Sequence, residues 1–325
     1  MLKILHNPVV AFLKLVRFEN LIMIAFTQYA LRYFVLQKVL VQNGSALEMD
    51  RLLFFLVVLS TVLIAAAGYI INDYFDVKTD LINHPDTVVV DKTIKRRLAI
   101  ILHLSLTFLG LAIGVFAAFK TGYLRLAAFQ FMAAALLWFY STDLKKMLLV
   151  GNLAVALLTA SVAFMPFIYE MALMQKQDPA FVAGHHRLIL SALKITVLYS
   201  IFAFITTLAR EIIKDLEDQK GDEATGGHTM PVQWGMRTSK FNVFFLLLIT
   251  ALLLMFVVYN SIKMHRVVLS LSTIYISLLL VSPLVFLAVA VLRSSTSRQF
   301  KRASLVLKFI MLMGLCYCFV FYQQS

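Results

Sequence analysis

Cysteine is almost missing from this chain: two occur in 325 residues, Cys316 and Cys318, both inside one apolar run near the C-terminus. That excludes a disulfide framework or a zinc pattern, and two positions apart on a helix the thiols face different ways. Charge is scarce as well. Only 14% of residues are Asp, Glu, Lys or Arg, against 61% hydrophobic, a balance that excludes a soluble domain. Low-complexity tracts and appended polar domains are lacking, so residues 1–325 read as one membrane domain. The N-terminus has no short apolar core followed by a small-residue cleavage site, and no removable signal peptide is expected. Acid is the scarcest charge, 17 residues against 30 basic ones. A net charge of +13 would suggest nucleic acid if the basic residues formed one soluble patch. They lie scattered between apolar runs, so no nucleic-acid partner is expected.

Long apolar runs are what the sequence has in quantity. Nine segments approach the length of about 20 residues that spans a bilayer core: 14–36, 52–74, 98–119, 123–141, 148–171, 188–212, 241–262, 267–292 and 303–322. A barrel would need short alternating strands, so these are expected as helices. The expected fold is all-α, a polytopic bundle of about nine transmembrane helices. With the N-terminus in the cytoplasm, 19 of the 30 Lys and Arg fall on the inner side. The positive-inside rule then sets the C-terminus outside, in a cell membrane expected to be the bacterial inner one. Lys308 stands apart, inside the last span.

The few acidic residues are concentrated. Asp73, Asp76, Asp80, Asp86 and Asp91 form one group, and Glu211, Asp215, Glu217, Asp218, Asp222 and Glu223 another, each at the cytoplasmic end of a span. Both groups contain D-x-x-D-x-x-x-D, at Asp73, Asp76, Asp80 and at Asp215, Asp218, Asp222. On a helix this spacing falls within an arc of about 60°, a one-sided carboxylate face. Asn72 adds a carbonyl beside the first face. Grouped carboxylates repel one another and resist desolvation at a membrane boundary. One such run would pass as a solvated helix end with Lys78, Lys214 and Lys220 as partners. Two runs of identical spacing on one side of the membrane imply a cation between them. Oxygen ligands with no histidine or cysteine nearby favour a hard ion, Mg²⁺ or Ca²⁺. The glycine and terminal glutamate of an EF-hand are missing. Mg²⁺ shared between carboxylates and substrate phosphates fits best, with Lys95–Arg97, Lys145, Arg210 and Lys214 as neutralising cations.

These motifs resemble those of the UbiA-type intramembrane prenyltransferases. "NDYFDVKTD", Asn72 to Asp80, is similar to the family's first motif, N-D-x-x-D-x-x-x-D. "REIIKDLEDQKGDEATGGHTMPV", Arg210 to Val232, is similar to the second, in the form found in its lipid- and chlorophyll-type branches. Weaker echoes are "RFEN" at Arg17–Asn20, where Phe18 replaces a usual proline, and "YSTDLKKMLLVGN" at Tyr140–Asn152. The resemblance implies a helical bundle around a central cavity open sideways to lipid. It also implies Mg²⁺-dependent transfer of a prenyl group from a prenyl diphosphate to a lipophilic acceptor in the membrane lipid. Carried over by position, Asn72, Asp76, Asp80, Asp218 and Asp222 would face metal, with Asp73 and Asp215 in the same catalytic motifs. Arg17, Asn20, Tyr140, Ser141 and Lys145 would neighbour the diphosphate, as would Arg210 and Lys214. The form of the second motif points to a glycerol-phosphate acceptor, with aromatic quinone or chlorophyll-type precursors as the alternative.

Breaking an allylic C–O bond calls for stabilisation of the departing diphosphate and for exclusion of water from the carbocation. A chain with 27 Phe and 12 Tyr offers many rings for that, and none is singled out. An ion-coupled transporter is the alternative from another class, but its carboxylates belong near the bilayer midplane. A CDP-alcohol-type phosphotransferase would need glycine and arginine where Val77 and Lys78 follow Asp76. His185 and His186 read as a solvated loop, and Lys95–Arg97 first as a positive-inside anchor. His228 stands in a Gly- and Pro-marked turn that would overlie the cavity mouth.

Overall fold

The computed structural model describes residues 7–42, 44–265 and 268–323. The start of the chain and residues 266–267, where the eighth expected span begins, lie outside them. The described residues are helical, with one isolated bridge between Val90 and Ile94 in a loop. Helices α1 (Pro8–Leu15), α2 (Phe18–Ala30) and α3 (Gln37–Val41) precede α4 (Arg51–Asn83), α5 (Arg96–Thr121), α6 (Ala127–Thr142) and α7 (Val150–Gln177). Then come α8 (Pro179–Gly184), α9 (His186–Ala224), α10 (Met230–Gln233), α11 (Gly235–His265), α12 (Leu271–Tyr275), α13 (Ser282–Arg293) and α14 (Ser297–Gln323).

Eight helices among the described residues are long and apolar enough to cross a bilayer, which makes this a multi-pass membrane protein. The expected first span, 14–36, differs. The chain breaks at Arg17, which takes a left-handed conformation (φ 50°), and α2 then runs through a π-helical segment, Leu31–Leu36, into α3. Gln28 and Arg32 lie fully buried along it, so its polarity serves the interior of the bundle.

Arg32 is paired with buried Glu170 on α7, Nε to Oε2 3.4 Å. Glu170 also accepts hydrogen bonds from the backbone N–H groups of Glu48 and Met49, and the Arg32 guanidinium packs on Phe54, 4.4 Å from its ring centre. Two charges taken out of solvent are tolerated because they pair with one another and bond the backbone around them. The network pins the loop before α4 and closes the end of the bundle opposite the aspartates.

Helices α4 and α5 pack closely because Gly110 and Gly114 of α5 face α4. A Cβ at either would come within 2.8 Å of Ile64 or Ser60, and Ser60 Oγ donates to Gly110 O at 2.7 Å. This is the small-residue contact that lets membrane helices approach where lipid supplies no hydrophobic drive.

Two helices overrun the membrane. Asp50 caps α4 by accepting from Leu53 N, and its 33 residues extend about 50 Å against a hydrocarbon core of about 30 Å. The 39 residues of α9 reach about 58 Å at the same rise. The spans expected at 52–74 and 188–212 are thus only the membrane parts of longer helices. Their polar ends lie side by side, and that is where the aspartates are.

Candidate functional site

Each motif is helical throughout, so its three carboxylates lie on one stripe, and the stripes of α4 and α9 come together. Near the helix ends the contact is a set of hydrogen bonds. Asn83 donates to Asp218 O at 3.1 Å and accepts from Gly221 N at 3.0 Å. Thr79 and Thr225 meet at 3.2 Å. His84, just past the end of α4, places Nε2 at 2.8 Å from Asp218 Oδ1 and 3.9 Å from Glu217. Gly221 permits the approach, since a Cβ there would lie 2.3 Å from the Asn83 side chain. The carboxylates act on one another across the gap: Asp80 feels Asp218, and Asp222 feels Asp76 and Lys145.

Cations and donors hold most of this acid. Arg17 Nη2 binds Asp73 at 2.9 Å, its guanidinium over the Tyr69 ring at 5.0 Å. The left-handed turn at Arg17 aims the side chain there; such a backbone in a residue with a Cβ is strained, a feature found at functional sites. Lys145, in the turn between α6 and α7, binds Asp76 at 2.6 Å and lies 3.4 Å from Asn72 Oδ1. Asn72 itself donates to Asp76 at 2.9 Å. Leu149 closes that turn in a second left-handed conformation (φ 61°). Asn152 donates to Asp215 at 2.7 Å and Thr229 to Asp222 at 3.1 Å. Lys214 and Arg210 share Glu211 at 2.7 and 3.3 Å. Among the described residues the Asp80 carboxylate has no hydrogen-bonding or ion-pair partner, although its backbone carbonyl accepts from His84 N–H.

Two ionisable groups of the site lie beyond the spans. The hydrogen bond to Asp218 raises the pKa of His84 against the opposing effect of burial. Burial lowers that of Lys145 despite the Asp76 carboxylate beside it. Both follow the general rule that desolvation disfavours charge and an opposite charge restores it.

Beneath the acidic end lies a cavity of about 300 Å³. Arg17, Asn20, Tyr69, Asn72, Tyr140, Arg210, Glu211 and Lys214 form its polar end, and its walls continue along the bundle through residues such as Ile64, Leu137, Leu158, Met165 and Leu315. One polar end and a long apolar body suit a molecule built the same way.

Most of the residues expected at the site from sequence are brought together here, with two corrections. Ser141 is one: its hydroxyl turns back on Leu137 O at 2.8 Å and it is fully buried away from the cavity. One residue beyond Tyr140 is a rotation of about 100°, which carries it off the cavity face. The second concerns histidine, expected to be absent from the cluster. His84 is in it, and His84, Glu217 and Asp218 could jointly hold a metal ion. Asn83 was within reach of pattern reasoning, because Asp76, Asp80 and Asn83 continue the same helical stripe. Asn152, Thr229 and Gly221 carried no such signal. The other weighed residues stand aside. Arg96 stacks on Tyr74 and pairs with Asp91 in an exposed corner. His185 and His186 are exposed at the start of α9. His228 bonds through its backbone N–H to Lys146 O at 2.8 Å, which ties the turn after the second motif to the turn after α6.

Known proteins share sequence and fold with this chain. Residues 35–319 match the UbiA prenyltransferase family. The chain is 30% identical over 259 residues to digeranylgeranylglyceryl phosphate synthase of Methanothermobacter thermautotrophicus, covering 78% of this chain and 80% of that one. A solved structure described as that of digeranylgeranylglyceryl phosphate synthase superposes with a TM-score of 0.65 at 21% identity, over 98% of this chain and all of the other. A UbiA homologue from Archaeoglobus fulgidus bound to DMAPP and Mg²⁺ does so at 0.53 and 16% identity, over 97% and 99%. These likenesses support the fold, and the sequence matches decide membership: the chain belongs to the UbiA prenyltransferase family.

Proposed function

We propose that this prenyltransferase moves a prenyl group from a prenyl diphosphate to a glycerol-phosphate lipid, with Mg²⁺ as cofactor. The observation that carries the proposal is the pair of facing aspartate stripes that adjoins the polar end of an otherwise apolar cavity through Arg17 and Asn72. The cavity accommodates an isoprenoid chain, and the stripes meet its charged head. The relative from Methanothermobacter is a digeranylgeranylglyceryl phosphate synthase, which favours a glycerol-phosphate acceptor over an aromatic one. Grouping the acid at one helix end, rather than at mid-membrane, disfavours an ion-coupled transporter.

The residues fit Mg²⁺. The donors are carboxylate and amide oxygens from Asn72, Asp76, Asp80, Asp218 and Asp222, which a hard ion prefers. The Asp80 carboxylate, near Asp73, Asp76 and Asp218 and bound by no described side chain, has both oxygens free to serve such an ion. When bound, Mg²⁺ supplies positive charge for the diphosphate oxygens. Arg17, Lys145, Arg210 and Lys214 hold and orient the same diphosphate, and their charges stabilise it as it departs. Asp73 and Glu211 keep Arg17 and the Arg210–Lys214 pair in place. The apolar walls keep water from the prenyl cation, so that the acceptor hydroxyl is the nucleophile within reach. Tyr69 and Tyr140 line the polar end of the cavity.

The bias of basic residues supports an N-terminus in the cytoplasm and a C-terminus outside, with the site at the cytoplasmic face of the membrane. Purified protein supplied with prenyl diphosphates, Mg²⁺ and a panel of glycerol-phosphate lipids and aromatic acids tests the assignment. Transfer to the phosphate-bearing lipid, abolished by a chelator and restored by Mg²⁺, is expected. Transfer confined to aromatic acids would refute the acceptor, and chelator-resistant transfer would refute the metal.

A further inference from the structure

Lys308 interrupts the apolar run of α14, and the diphosphate site does not account for it. A lysine within a span is costly and is kept for a purpose. Its side chain lines the cavity and yet is 31% exposed, and its Nζ pairs at 3.3 Å with Glu19 of α2, whose side chain is 89% exposed. The surrounding surface is lipid-facing: Ile22 on α2, with Leu305, Val306 and Phe309 on α14, are all exposed. Lys308 therefore stands between α2 and α14 at a lateral mouth, touching both the interior and the bilayer. The other cations of the polar end are held by carboxylates inside the site, Arg17 by Asp73 and Arg210 and Lys214 by Glu211. Lys308 is held by a carboxylate that is almost wholly free to swing away.

We propose that Lys308 receives the phosphate monoester headgroup of the acceptor as it passes from the bilayer into the cavity, displacing Glu19. This rests on the glycerol-phosphate reading above. A phosphate that must cross an apolar rim needs a cation there, and an ammonium on a long flexible stem can follow it inward. The tails would stay among the apolar walls while the glycerol hydroxyl reaches the prenyl carbon.

Steady-state kinetics of the purified full chain, with the acceptor and the prenyl diphosphate varied separately, test this. K308Q should raise KM for the phosphate-bearing acceptor about 10- to 100-fold, the range for losing a charge-assisted hydrogen bond. Its KM for prenyl diphosphate should stay within about twofold on the same reasoning, which also shows that the variant is folded. K308R should restore most of the acceptor affinity, and E19Q should bind acceptor no more weakly than the unaltered protein. The K308Q deficit should persist in phospholipid-free micelles. A deficit seen only in phospholipid bilayers would assign Lys308 to bulk lipid and overturn the proposal. An unchanged acceptor KM, or equal rises for both substrates, would overturn it as well. In those cases the unaltered enzyme still prenylates glycerol-phosphate lipids, whereas an enzyme that never does so refutes the acceptor reading itself.

Discussion

Asp80 is the residue at which the two demands on this site pull apart. It shares a stripe with Asp73 and Asp76, interacts with Asp218 across the gap, and among the described residues its carboxylate accepts no hydrogen bond and forms no ion pair. The repulsion of Asp73, Asp76 and Asp218 on its charge outweighs the attraction of Arg17. Asp80→Asn should therefore raise the melting temperature measured with chelator present by roughly 1–3 °C. The same substitution should lower prenyl transfer about 100-fold or more, as expected when a ligand for charge stabilisation is removed. Such opposition between stability and activity marks a functional group. A variant that melts lower and keeps its activity would show Asp80 to be structural. Arg17 makes the contrasting case: its strained backbone and its hold on Asp73 keep a cation at the cavity rim at a local conformational cost.

At the scale of helices, the site depends on how closely the ends of α4 and α9 meet. Asn83 bridges them with two hydrogen bonds and Gly221 makes room for it. Gly221→Ala would push the Asn83 amide away and break both bonds, a stability cost of about 1–3 kcal/mol. Asn83→Ala should cost a similar amount, and the double variant should be no worse than either single one, because both remove the same bridge. Thermal melts and transfer rates measured side by side check this, and additive losses would contradict it. The helices themselves were legible in sequence because a bilayer core demands about 20 apolar residues in a row. Hydropathy stops being informative where the chain leaves the lipid, so the polar extensions of α4 and α9 could not be delimited. The first span was blurred for the opposite reason, since Gln28 and Arg32 are polar residues placed inside the bundle.

Across the whole molecule, the candidate site was legible to the extent that it repeats itself. The same spacing at Asp73, Asp76, Asp80 and at Asp215, Asp218, Asp222 marks two faces without any knowledge of the fold. Lys145 and Lys214 could be named because basic residues near clustered acid have an evident role. His84 and Asn152 could not, because each acts on an aspartate of another helix. Such pairs exist only once the bundle has brought distant segments together, and Ser141 failed by a single helical step. The fold thus converts two separate acidic stripes into one charged lid over an apolar chamber.

That the two stripes form one site is the central claim, and a double-mutant cycle on Asp76→Asn and Asp218→Asn tests it most directly. In kcat/KM for prenyl transfer, each single variant should lose about 100-fold or more. Because both serve one metal-and-diphosphate assembly, the double variant should be nearly as active as the worse single variant. Losses that multiply in the double variant would mean that the stripes act independently, and the account would be contradicted.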